Sequence, residues 1–102
     1  MNFATGQTIY DTILSLDANN NPVSSTTFDI STFRNGTIYT GITINTTLIE
    51  PSKGIFSSSW SADTTGTYQI IYKNNVTNVF YVSNSYLIKT DEELSTNIYV
   101  GI

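Results

Sequence analysis

"IYTGITINTTL", Ile38 to Leu48, alternates along its whole length. Ile38, Thr40, Ile42, Ile44, Thr46 and Leu48 put β-branched or apolar side chains on one face, and Gly41, Thr43, Asn45 and Thr47 occupy the other. Successive side chains of a strand point to opposite sides of the pleat, so a period of two predicts a strand with one buried face. The run reads as one long antiparallel strand, or as two strands broken near Gly41, where a glycine often marks a bulge or bend.

Shorter runs repeat the pattern on both sides. Tyr10, Leu14 and Leu16 form one apolar set; Phe28 and Ile30, then Phe56, Ser58 and Trp60, then Tyr68, Ile70 and Tyr72, then Val76, Phe80 and Val82 form the others. Between them lie Asn20-Asn21-Pro22, Asn35-Gly36, Pro51-Ser52-Lys53-Gly54, Asp63 to Gly66 and Asn74-Asn75, all rich in turn residues. Asn35-Gly36 is a strong hairpin signal, because both residues tolerate the positive φ of a type I′ turn. About seven short strands with turns every 8 to 12 residues predict an all-β antiparallel sandwich or small barrel, and the sandwich is preferred.

Composition bounds the chemistry. At 102 residues the chain makes one domain, and with 39% hydrophobic and 13% aromatic residues it has enough apolar surface for a core. Only 12% of residues are charged, with a net charge of -4 and no Lys/Arg cluster, so a direct nucleic-acid ligand is not expected. The absence of cysteine and histidine removes disulfides, structural zinc, thiol nucleophiles and the commonest general base. No cofactor is implied. The N-terminus has neither a basic n-region nor an apolar signal run, and no stretch has the length of a membrane span. The expectation is a protein made in a host cytoplasm without a signal peptide, with no membrane partner. Met1 opens the sequence, which suggests a complete small gene product with ordered ends.

Three groups of residues invite a chemical reading. Asp17, Asn19 and Asn21 match the opening of a calcium loop, but Pro22 stands where the loop needs glycine and Phe28 where it needs a bidentate glutamate. Turn chemistry explains the stretch better, since Asp and Asn side chains bond nearby backbone and Pro22 fixes φ before the next strand. Asp11, Asp17, Asp29, Glu50 and Asp63 fall near strand ends as surface or turn-capping residues; no spacing brings two together for glycoside hydrolysis, and no enzyme is expected. Tyr39 and Tyr81 fall off the inward pattern, so a sugar-stacking surface is an alternative. The sequons at Asn35, Asn45 and Asn75 are about as many as chance supplies in a chain this rich in Asn, Ser and Thr.

The segment Pro51-Ser52-Lys53-Gly54-Ile55-Phe56, followed by Ser59-Trp60, Gly66-Thr67-Tyr68 and Ile71-Tyr72, resembles the immunoglobulin-like modules of bacterial and phage proteins. In those modules a P-x-x-G-x-[YF]-x-x-x-W strand precedes a G-T-Y-x-[VI] strand. Leu16 to Val23 is similar to their D-x-x-G-N-P-V turn, with Asn20 where glycine is frequent. The likeness covers roughly residues 8 to 88 and speaks to fold more than to function. It implies an immunoglobulin-like sandwich over residues 1–89, with Trp60 in the core and Tyr68 in a tyrosine corner.

Residues 90–102 are more than a minimal sandwich needs. Thr90-Asp91-Glu92-Glu93 reads as a capping box, predicting a short helix through about Asn97, and Ile98-Tyr99-Val100-Gly101-Ile102 follows as an apolar tail. Such a tail either folds back or docks on a neighbour. Because phages use such modules as small virion proteins, the resemblance implies a structural component of a tailed-phage particle. Capsid decoration is the first reading, and a head-to-tail connector or tail accessory protein the second. Partners would be the major capsid protein, other virion proteins or copies of the chain, contacted through Leu94, Ile98, Tyr99, Val100 and Ile102. The competing class is a receptor- or carbohydrate-binding module.

Overall fold

The structure, a computed structural model, describes residues 2–24 and 26–90. Among the described residues, nine strands run in chain order: β1 Asn2–Ala4, β2 Ile9–Leu14, β3 Phe28–Arg34, β4 Thr37–Ile38, β5 Asn45–Glu50, β6 Ile55–Trp60, β7 Gly66–Asn74, β8 Phe80–Val82 and β9 Tyr86–Lys89. The predicted C-terminal helix and tail lie outside the described residues. One sheet has the order β1-β9-β7-β3-β4, with β8 also paired to β7, and the other has the order β2-β6-β5. Their facing residues form a single buried cluster, Ile9, Ile13, Phe56 and Trp60 from the smaller sheet and Tyr68, Ile70, Tyr72, Tyr86 and Ile88 from the larger. The protein is therefore all-β and sandwich-like. Two details differ from the expectation: the described residues hold nine strands rather than about seven, and β1 joins β9 in parallel. The extra strands are fragments of two to four residues, too short to show a period.

The turns follow the side-chain chemistry. Asn35 and Gly36 have φ of 52° and 81°, the positive pair that a tight β3–β4 hairpin requires. Asp17 accepts from the amides of Asn19 at 2.8 Å and Asn21 at 2.9 Å, and its own N–H donates to the Asn21 carbonyl. Its carboxylate is thus committed to the turn. Those hydrogen bonds, that of the Asn21 amide first, hold the Asp17 pKa below the usual carboxylate range.

Ile38 to Leu48 is two strands with an irregular stretch between. β4 ends at Ile38 and β5 begins at Asn45. The connecting residues leave the larger sheet for the smaller one, so they cannot complete a ladder with either, yet Ile42 and Ile44 still pack against the core. A Cβ at Gly41 would lie 2.3 Å from the far end of the Tyr39 ring, so a side chain there would require that ring to shift.

Two runs have the opposite phase from that expected. In β2, Ile9 and Ile13 are buried, whereas Tyr10 is 72% and Leu14 47% exposed. Pairing Ile9 with Trp60 and Ile13 with Phe56 places these residues on one face. In β8, Tyr81 lies opposite buried Tyr72, so Phe80 and Val82 point outward.

The Tyr68 hydroxyl donates to the Thr64 carbonyl at 2.8 Å, the local geometry of a tyrosine corner. Arg34 fastens the same loop from the hairpin side, donating to the Thr65 carbonyl from Nε at 3.0 Å and Nη2 at 2.8 Å. Tyr68→Phe removes this hydrogen bond while keeping the buried ring, and should cost about 1 kcal/mol. Urea unfolding is expected to show a lower midpoint with an unchanged slope.

Candidate functional site

With no cysteine to staple them, the two sheets are joined by polar side-chain contacts. Tyr86 on β9 donates its hydroxyl to Asp11 Oδ1 on β2. Ser58 on β6 and Tyr72 on β7 share a hydrogen bond of 2.7 Å. The Asn74 amide at the end of β7 donates at 2.8 Å to Ser15 Oγ, just past β2. Asn74 is 2% exposed and uses its other side too, accepting from the amides of Val76 and Thr77 and from the Thr26 hydroxyl. One buried asparagine thus shapes the β7–β8 turn and ties it to the opposite sheet.

Asp11 corrects the expectation of a surface acid near a strand end. It lies mid-strand between buried Ile9 and Ile13 and shares their phase. Burial pushes its carboxyl above the usual range, opposed in part by the Trp60 indole. Neither Asp11 Oδ2 nor Trp60 Nε1 completes a hydrogen bond. The phenol of Tyr72 is pushed up to about 12, by burial first. Among the described residues no group of three or more acidic side chains is placed to hold a metal ion, and no helix is long and apolar enough to cross a membrane.

The raised Asp11 pKa has a definite sign. Protons bind the folded state more tightly, so the cost of charging Asp11 is absent below the unfolded value of 3.8 and complete above the folded pKa. Stability is lost as pH rises through that window. Asp11→Asn is expected to be at least as stable as the parent at neutral pH, with the difference shrinking on acidification. Urea midpoints measured from about pH 7 to about pH 4 check this; a gap that widened at low pH would refute it.

The surface holds the remaining features. Phe80 and Val82 are 61% and 52% exposed on the outer face of the larger sheet, Val82 opposite Ile71 and Phe80 opposite Lys73. A groove of about 320 Å³ lies between β3 and the connecting segment, lined by Ile30, Ser31, Ile38, Ile42 and Ile44. Tyr39 and Tyr81 are the residues read from the sequence as an alternative sugar-stacking surface. Both are half-buried, with rings edge-on or tilted against Tyr68 at 5.9 Å and Tyr72 at 6.2 Å. The expected contact residues Leu94, Ile98, Tyr99, Val100 and Ile102 lie outside the described residues.

These observations define a class: a small all-β, two-sheet protein with a polar-stapled aromatic core and apolar side chains left on its outer surface. Comparison with protein-family profiles, with curated proteins and with solved structures finds no match.

Proposed function

We propose that the chain is a non-enzymatic immunoglobulin-like module that works by packing against other protein subunits, as a structural component of a tailed-phage particle. Capsid decoration is the preferred place. The observation that carries the docking reading is the exposure of Phe80 and Val82 on the outer face of the larger sheet, with Ile71 opposite Val82, since exposed apolar side chains gathered on one face mark interaction surfaces. The tyrosine corner at Tyr68 and the central Trp60 support the immunoglobulin-like assignment, and the sequence resemblance supports the phage setting. Leu94, Ile98, Tyr99, Val100 and Ile102 supply further apolar contacts. Docking many copies on a symmetric lattice would stabilise the particle by mass action.

Antibodies raised against the purified protein test the setting. In lysates of cells producing the particle, the protein should co-sediment with filled capsids on a density gradient and stay with them through repeated banding. Recovery only in the slow-sedimenting fraction would refute a virion role.

A further inference from the structure

We infer that Asn35 is a site of spontaneous self-modification: the Gly36 amide nitrogen displaces the Asn35 side-chain amide, and water opens the resulting succinimide to aspartate or isoaspartate. The inference is independent of the docking reading. Its reactants are the chain itself and water.

The step balances within two residues. Hydroxide takes the Gly36 amide proton, and the nitrogen attacks Asn35 Cγ in an intramolecular ring closure. The new Cγ–N bond forms, the Cγ–Nδ2 bond breaks, and Nδ2 leaves as ammonia with a proton from water. A water molecule then adds to one of the two imide carbonyls. Opening at Cγ gives aspartate; opening at the main-chain carbonyl gives isoaspartate, whose backbone runs through the side chain. Nothing is oxidised or reduced.

In an unfolded chain many asparagines could react in this way, and the fold selects among them through the amide that follows each one. A nitrogen that is donating a hydrogen bond, or that belongs to proline, is a poor nucleophile. The amide after Asn19 donates to the Asp17 carbonyl at 3.0 Å and that after Asn20 to Asp17 Oδ1 at 2.9 Å, while Asn21 precedes Pro22. The amides after Asn74, Asn75 and Asn78 donate to the Thr27 carbonyl at 3.1 Å, Asn74 Oδ1 at 2.9 Å and Thr77 Oγ1 at 3.4 Å. Asn2 and Asn45 lie in strands and precede Phe3 and Thr46, whose side chains crowd the nitrogen.

The hairpin junction differs on each count. Asn35 and Gly36 are both exposed. Among the described residues no group accepts from the Gly36 amide, and nothing lies within 4 Å of the place a Cβ would take there. The Thr67 amide donates to Asn35 Oδ1 at 2.9 Å, the oxygen on which negative charge develops when Cγ is attacked. A donor is thus already in place for the tetrahedral intermediate. Closing the ring needs the turn to open, because the ψ of a type I′ turn points the Gly36 nitrogen away from the Asn35 side chain. That opening is local: β4 is two exposed residues paired to Phe33 and Arg34. Meanwhile the Asn35 amide, bonded to the Thr67 carbonyl at 2.8 Å, keeps its hold on β7.

Either product takes the net charge from -4 to -5. The new carboxylate stands near Arg34, since Asn35 Oδ1 and Arg34 Nε both lie within 3.2 Å of the place a Cβ on Gly66 would take. Isoaspartate also lengthens the loop by one backbone atom, which a two-residue hairpin turn does not accommodate.

The test incubates the purified full-length protein at mildly alkaline pH, with a parallel sample in urea, and maps both by mass spectrometry over time. In the native sample Asn35 should gain the mass of exchanging –NH2 for –OH ahead of every other described asparagine, with isoaspartate among the products. Native isoelectric focusing should show a new acidic form shifted by one charge. In urea, Asn19, Asn20 and Asn74 should lose their protection. Asn35→Gln, which lacks the five-membered path, should remove the acidic form; the native-against-urea comparison needs no variant to fold. Three results would overturn the inference. One is an Asn35 that stays intact in the native protein while reacting in urea. Another is native reaction led by a different asparagine, such as Asn84, whose following Ser85 amide is also unbonded among the described residues. The third is an acidic form that persists in Asn35→Gln.

Discussion

Trp60→Ala is expected to lower the unfolding free energy by about 3–5 kcal/mol, the usual loss when a large buried aromatic is truncated. Trp60 is 3% exposed and stands at the end of β6, where the two sheets are held apart by its indole. Its ring lies 5.7 Å from that of Tyr68 on β7 and 5.6 Å from that of Tyr86 on β9. Both partners take part in the hydrogen bonds that organise the core, Tyr68 to the Thr64 carbonyl and Tyr86 to Asp11. Removing the indole leaves a void beside a buried carboxylate that relies on its surroundings. A domain of this size has about 5–15 kcal/mol of stability in total, so the variant should be partly unfolded at ordinary temperatures. Trp60→Phe keeps a ring in the space and should recover a large part of the loss. Urea unfolding followed by circular dichroism measures both, and a cost under about 1 kcal/mol for the alanine variant would show that the core does not depend on this residue.

Gly54→Ala is the second large effect, although it adds only one methyl group. Gly54 is buried at the entry to β6 with φ of 64°, where a side chain is strained whatever the space. An added Cβ would lie 2.4 Å from the Ser15 carbonyl oxygen, a backbone atom that cannot swing aside. That oxygen already accepts from the Val23 amide at 2.8 Å, and the Ser15 amide donates to the Gly54 carbonyl at 2.7 Å. Relief of the clash would break a junction joining β2, the Asp17 turn and β6. Strain and overpacking together should cost about 3 kcal/mol or more. The neighbouring Lys53→Ala is the control. It loses only a 3.9 Å ion pair to Glu50 between exposed side chains, for which a cost below about 0.5 kcal/mol is expected. Equal effects of the two substitutions would show that the turn tolerates a side chain at residue 54.

These two residues mark how far local pattern reaches. Pro51-Ser52-Lys53-Gly54 is legible as a turn, and the left-handed glycine at its end is one of the few conformations open to such a sequence. Trp60 is legible as core because Phe56, Ser58 and Trp60 alternate with small polar residues, leaving one choice of phase. The β2 segment is different. Ile9, Asp11, Ile13 and Ser15 compete with Tyr10, Thr12, Leu14 and Leu16, and the second set is at least as apolar. Phase there is settled by which residues face Phe56 and Trp60 across the ladder, information held in another strand. Asp11 was therefore out of sight as an interior residue, and the Asp11–Tyr86 contact with it. A useful signal was available in β2: two β-branched isoleucines at Ile9 and Ile13 against Tyr10 and Leu14, whose larger side chains are less confined to an interior.

By itself, the sequence determined the class of structure: strands of period two, turns placed by Asn, Asp, Gly and Pro, no cysteine or histidine chemistry, and an aromatic core around Trp60 and Tyr68. Those properties are local, because turn preference and side-chain alternation act within a few residues along the chain. Only the tertiary structure decided the phases of β2 and β8, the inward turn of Asp11 and Tyr81, and the outward turn of Phe80 and Val82. Each of these depends on register between strands far apart in sequence, and a shift of one residue exchanges the two faces of a strand.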